Sequence, residues 1–180
     1  MSTAPIISKG AAAKPGKYLT FILGHESYGV PVLKVREIIR LCAITVVPNM
    51  AQHIKGVINL RGKIIPVVDL RLTFRLAAIQ DNDRTCIVVV EVHLASGVAA
   101  LMGLIVDGVE EVVNIPQNEI EPTPDFGTTI DTEYILGMAK IKGTVKTLLD
   151  IDCVLAAETL HQVGRIAAGS ARAMNAQPMP

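Results

Sequence analysis

The chain has 180 residues, half of them hydrophobic, yet it holds only three Phe, three Tyr and no Trp. Its 17 basic and 17 acidic side chains cancel. This argues against a nucleic-acid partner, which usually requires a basic footprint, and gives no electrostatic reason to expect an anionic membrane surface. The core must be aliphatic, and enrichment in Val, Ile and Leu favours strands.

Residues 1–16 mix Ser, Thr, Ala, Pro, Lys and Gly without periodicity. They lack the continuous apolar core of a signal peptide and read as a flexible N-terminal tail. Tyr18–Leu23 predicts a strand that ends in a turn near Gly24-His25-Glu26, and Tyr28–Val32 predicts a second, shorter one. A third follows at Val35–Ile39, where Arg36 and Glu37 interrupt the apolar run. Pro48–Ile54 predicts one helical turn capped by Asn49. Val57–Leu60 and Lys63–Asp69 read as a hairpin that turns at Arg61-Gly62, with the glycine supplying a positive φ. Pro66 removes a donor from the return strand and belongs at an edge or a bulge.

Cys86–Val106 is the most apolar stretch, but Glu91, His93, Ser96 and Gly97 do not suit a membrane span of about 20 apolar residues. Two buried strands, Thr85–Val92 and Val98–Val106, explain it better, so the protein reads as soluble and cytoplasmic, with no direct membrane insertion. Asp107-Gly108 is a two-residue hairpin signal, and Val109–Asn114 is the expected return strand. From Ile151 to Ala168, Ala, Leu and Glu favour a helix that Gly164 and Gly169 limit. Residues 159–180 read as a C-terminal tail, partly helical or disordered.

An internal repeat changes the architecture one proposes. Residues 54–71, IKGVINLRGKIIPVVDLR, align without a gap to residues 135–152, ILGMAKIKGTVKTLLDID, at an offset of 81. Ile54/Ile135, Gly56/Gly137, Gly62/Gly143 and Asp69/Asp150 are identical, and pairs such as Leu60/Ile141, Arg61/Lys142 and Val68/Leu149 keep their chemical type. Val109–Val113 likewise parallels Val35–Ile39 at an offset of 74. The repeats span about 17–75 and 83–155, each with about five short strands, which implies paired small barrels or sandwiches.

No catalytic motif is present: there is no P-loop, G-x-S-x-G or H-E-x-x-H. The widely separated His25, His53, His93 and His161 read as surface or packing residues, with no metal implied. Cys42, Cys86 and Cys153, odd in number and far apart, read as reduced thiols. The symmetric Asp69 and Asp150 invite an acid/base pair. Capping a helix or tying down a turn fits them better, because each follows a return strand and precedes an apolar residue. Lys55, Arg61 and Lys63 form a basic cluster without a stacking platform for nucleic acid. Glu37 and Arg61, opposite in charge, each sit in or beside an apolar strand. Were the sheet to join them, the pair would add only about 0 to 1 kcal/mol to stability. As the charged rim of an aliphatic patch it would serve recognition instead.

The segments YGVPVLKVREII, IKGVINLRGKIIPVVDLR, VDGVEEV and TEYILG, in this order, closely resemble the CheW family of bacterial chemotaxis adaptors. The resemblance covers about residues 17–158 and implies an all-β fold of two SH3-like five-stranded β-barrel subdomains, packed together with a few short helices. It also implies that the chain passes from one barrel to the other and returns. It implies a non-catalytic adaptor, without cofactor or metal, with two partners. One is the regulatory domain of the histidine kinase CheA; the other is the cytoplasmic tip of methyl-accepting chemoreceptors. By the same resemblance, receptor or kinase contacts fall on Val35, Glu37, Ile38, Gly56, Asn59, Arg61, Val109 and Val112. A scaffold of a non-flagellar chemosensory pathway is the near alternative. A small-barrel nucleic-acid binder is the distant one, and neutral charge and missing stacking aromatics oppose it.

Overall fold

The computed structural model describes residues 13–77, 79–94, 96–124 and 134–155. The expected helix beyond Leu155 and most of both predicted tails lie outside these residues. In chain order the elements are β1 (Gly16–Leu23), β2 (Glu26–Pro31), a 3-10 turn (Val32–Lys34), β3 (Val35–Arg40), β4 (Ile54–Leu60), β5 (Lys63–Asp69) and α1 (Leu70–Thr73). They continue as β6 (Cys86–His93), β7 (Ala99–Val106), β8 (Gly108–Ile115), a second 3-10 turn (Gln117–Glu119), β9 (Ile120–Glu121), β10 (Ile135–Ile141), β11 (Thr144–Leu149) and α2 (Ile151–Val154).

The strands form two sheets. One has the order β8-β1-β2-β11-β10-β9 and the other β3-β6-β7-β5-β4. The five-stranded sheet takes its strands from one continuous stretch. The six-stranded sheet joins the N-terminal hairpin to strands from the C-terminal half, including the two-residue β9.

The repeat is visible in the backbone. β4–β5 and β10–β11 are antiparallel hairpins, each with a register shift at the same place, Ile54/Gly56 and Ile135/Gly137. Their turns carry positive φ at both central residues, 52° and 84° at Arg61-Gly62 and 49° and 76° at Lys142-Gly143. This is the twist that two-residue hairpins need. Asp69 then accepts a hydrogen bond from Arg71 N, and Asp150 accepts from Asp152 N and Cys153 N, so both aspartates cap the short helix that follows. They sit in separate sheets, so they do not form an acid/base pair.

Alternation places the core. β6 is buried on both faces, with Ile87 and Val89 in the interior of the five-stranded sheet and Val88, Val90 and Val92 in a core shared with the other sheet. This two-sided burial makes its sequence a continuous apolar run. Leu19, Phe21, Leu23 and Val30 join the shared core from the six-stranded sheet, whose own interior holds Tyr18, Ile115, Ala139, Ile141 and Leu148.

Four expectations change. Asp107-Gly108 is no hairpin turn: β7 pairs with β6 and β5, whereas β8 pairs with β1. The dipeptide carries the chain between sheets, Asp107 N donating to Ile22 O at 2.9 Å. Pro48–Ile54 forms turns, not a helical turn, and Asn49 sits at a φ of 60°, which Asn tolerates. The segment is spent joining β3 to β4, with Thr45 bridged to Val57 on the way. Pro66 lies in a strand flanked on both sides, yet β5 pairs with β7 only from Val67 onward, so its missing donor falls just outside that ladder. Finally, Ala13, read from the sequence as tail, is buried and donates to Leu136 O at 3.0 Å.

Candidate protein-interaction surface

β3 and β4 lie at opposite ends of the five-stranded order. Nevertheless Arg61 Nη2, at the tip of the β4–β5 turn, donates to Glu37 Oε1 on β3. The contact requires the sheet to curl until its ends approach. The other sheet repeats the device: Lys142 Nζ of the β10–β11 turn lies 3.9 Å from Glu111 Oε1 on β8.

The Glu37–Arg61 pair borders a groove of about 500 Å³ lined by Arg36, Lys63, Glu91, Leu60, Ile65 and Leu101, among others. Its floor is aliphatic, with Ile65 and Val89 buried. Arg36 Nη2 reaches Glu91 Oε2 at 2.6 Å. The groove thus combines an apolar floor with a charged rim of both signs, which suits a protein surface.

The eight candidate residues occupy different settings. Glu37, Asn59 and Arg61 meet at this end of the five-stranded subdomain. Asn59 is exposed and its Oδ1 accepts from Gly62 N at 2.8 Å, holding the turn that aims Arg61. Ile38, 45% exposed, points away from Glu37 on the opposite face of β3. Val35 is half-buried against the shared core, as is Val109. Gly56 is buried at the bulge with a φ of 140°; a Cβ there would lie 2.0 Å from Thr45 O, so its role is to let two backbones approach. Val112 is exposed on β8, the counterpart of Ile38 in the other sheet.

Sequence reasoning missed Leu60, Leu101 and the Arg36–Glu91 pair, which depend on sheet closure and leave no local signal. It also missed a second groove, of about 600 Å³, lined by Tyr18, Pro31, Leu33, Leu136, Leu149 and Ile151, with Lys34 and Asp152 among its charged residues. Leu33 stands 86% exposed on its rim.

Two electrostatic features fix the frame. Arg71 is buried and lies within ion-pair distance of Asp69 (3.3 Å), Asp81 (2.9 Å) and Asp107 (3.2 Å). Burial disfavours its charge, but the carboxylates outweigh burial and hold its pKa above the ordinary value. Glu110 accepts from Ser27 Oγ and from the buried Lys146 Nζ, the latter at 2.9 Å. Burial opposes its charge, but these donors prevail and hold its carboxyl below the usual range.

Two SH3-like subdomains sharing a core and carrying a charged, apolar-floored groove define a protein-binding scaffold. Residues 17–159 match the family model of the CheW-like domain, and the chain belongs to the CheW family. It is 34% identical over 168 residues to chemotaxis protein CheW of Klebsiella aerogenes, covering 93% of this chain and 98% of that one. It is 28% identical over 148 residues to protein FrzA of Myxococcus xanthus, covering 81% and 88%. The crystal structure of scaffolding protein TtCheW from Thermoanaerobacter tengcongensis superposes with a TM-score of 0.70 at 36% identity, covering 81% of this chain and 96% of that one. The chain is accordingly a non-catalytic chemotaxis adaptor. Among the described residues, no helix is long and apolar enough to cross a membrane.

Proposed function

We propose that this adaptor couples methyl-accepting chemoreceptors to the histidine kinase CheA, binding the receptors' cytoplasmic tip and the kinase's regulatory domain. It acts in the cytoplasm, at receptor arrays that it reaches through these partners. The observation that carries this reading is the Glu37–Arg61 pair on the rim of an aliphatic groove, in a chain of the CheW family. Apolar floor area supplies affinity, and the paired charges set register. The contact residues are Glu37, Ile38, Asn59, Arg61 and Val112, with Val35, Gly56 and Val109 shaping the strands that present them.

Pull-down with the kinase regulatory domain and with a receptor-tip fragment tests it, using Arg61→Glu and Glu37→Arg beside a thermal melt. Each reversal is expected to weaken capture of at least one partner about tenfold or more while leaving the melt near wild type. Wild-type capture of both partners by both variants would remove the assignment.

A further inference from the structure

The two sheets are fastened to one another by two polar clamps: Arg71 and Asp152 are equivalent in the repeat, their partners Asp107 and Lys34 lie one position out of register with each other, and the charges are exchanged. In the first, the cation is Arg71, two residues beyond the capping Asp69. Its Nη1 lies 3.2 Å from Oδ1 of Asp107, the residue directly before β8. The other Asp107 oxygen accepts from Gly24 N at 2.6 Å. In the second, the anion is Asp152, two residues beyond the capping Asp150. Its Oδ2 lies 2.8 Å from Nζ of Lys34, the residue directly before β3, and its Oδ1 accepts from His93 N at 3.0 Å.

The two amides correspond. Val35 faces Val90 and its counterpart Val109 faces Phe21, so His93, three residues beyond Val90, matches Gly24, three beyond Phe21. Each clamp therefore holds an aspartate against the amide N–H at a strand end and against a cation, and each crosses from one sheet to the other.

The clamps differ in burial and in the number of partners. The Arg71 and Asp107 side chains are 5% and 13% exposed. The guanidinium is further held by Asp69, Asp81 and the Ile79 carbonyl. The Lys34 and Asp152 side chains are 28% and 31% exposed. The group added there is the exposed His93 ring, its Nδ1 3.3 Å from Lys34 Nζ and 3.8 Å from Asp152 Oδ2. The neighbouring Arg36 and Glu91 are engaged with each other. Water and salt compete with such an exposed pair and scarcely reach the buried one.

We infer that Arg71–Asp107 pins the boundary between the subdomains and that Lys34–Asp152 is its opening edge, a latch at which local separation begins. Lys34 and Asp152 also line the second groove, so the opening edge is a wall of that groove.

Amide hydrogen exchange of the full chain, read residue by residue by NMR, tests the inference. The protection factor of the His93 amide is expected to be lower than that of Gly24 by about tenfold or more. Salt at about 0.5 M is expected to lower His93 protection several-fold and leave Gly24 unchanged. Lys34→Met should lower His93 protection further at unchanged global stability and Gly24 protection, and Lys34→Arg should restore it. Equal protection at the two amides, or an unchanged His93 in Lys34→Met, would overturn the latch.

Discussion

The groove mouth of the five-stranded subdomain and its counterpart in the six-stranded subdomain share a backbone plan and differ beneath the ion pair. In the first, Glu37–Arg61 spans buried Ile65 and Val89. In the second, the aligned positions hold Glu111–Lys142, buried Lys146 in place of Ile65, and Thr20, whose Oγ1 donates to Glu111 O at 2.9 Å. Arg36 on the first rim is matched by Glu110, which Lys146 and Ser27 engage internally. The difference shows how a duplicated frame divides its work. An aliphatic floor leaves the rim charges available to a partner, whereas a polar floor uses its charges within the subdomain.

Six substitutions break or sharpen this contrast. Gly56→Ala should be the most damaging, costing more than about 4 kcal/mol in chemical denaturation, because the new Cβ meets a backbone oxygen at a positive φ. Gly137→Ala should cost less, its nearest backbone oxygen being 2.9 Å away. Asp69→Ala should cost about 2 to 3 kcal/mol, since it removes a cap and one of the three carboxylates around buried Arg71. The matching Asp150→Ala loses only a cap, about 1 kcal/mol. Equal costs in the two variants would erase the distinction between the copies.

Lys146→Met should cost about 1 to 2 kcal/mol near neutrality. The folded protein holds the Glu110 carboxyl below its ordinary value, so the stabilisation is present above the unfolded-state value and is lost as pH falls through the folded one. The gap between wild type and variant should thus be full above the ordinary glutamate range and shrink as the pH falls below it in urea titrations. Smallest of all, Lys142→Glu should change the melt by less than about 1 kcal/mol and leave kinase and receptor capture close to wild type, unlike Arg61→Glu.

Local chemistry was legible in the sequence. The paired positive-φ turns follow from Arg61-Gly62 and Lys142-Gly143, the caps from Asp69 and Asp150, and the Glu37–Arg61 meeting from opposite charges beside apolar strands. Asp107-Gly108 misled because a favourable hairpin dipeptide serves equally as a crossover. What decides is whether β8 finds β7 or β1, a choice no local pattern encodes. Arg71, the last residue of the P-V-V-D-L-R segment, carries no local sign of its role. Its partners Asp81 and Asp107 lie 10 and 36 positions along the chain and meet it only in the folded molecule. Val35 and Val109 could not be told from surface residues by alternation, because the bulges at Val35/Glu37 and Leu19/Phe21 shift the phase of the facing strands.

The division of strands between sheets also orders the assembly of the chain. Residues 35–106 contain every strand of the five-stranded sheet, so that half can close as soon as it has left the ribosome. The β1–β2 hairpin is made earliest, yet its neighbours β8 and β11 are made late. Until they arrive, Phe21, Leu23 and Val30 have only the finished half to lie against. The pairings of longest sequence separation are thus those of the first-made hairpin with β8 and β11, which join the two ends of the chain.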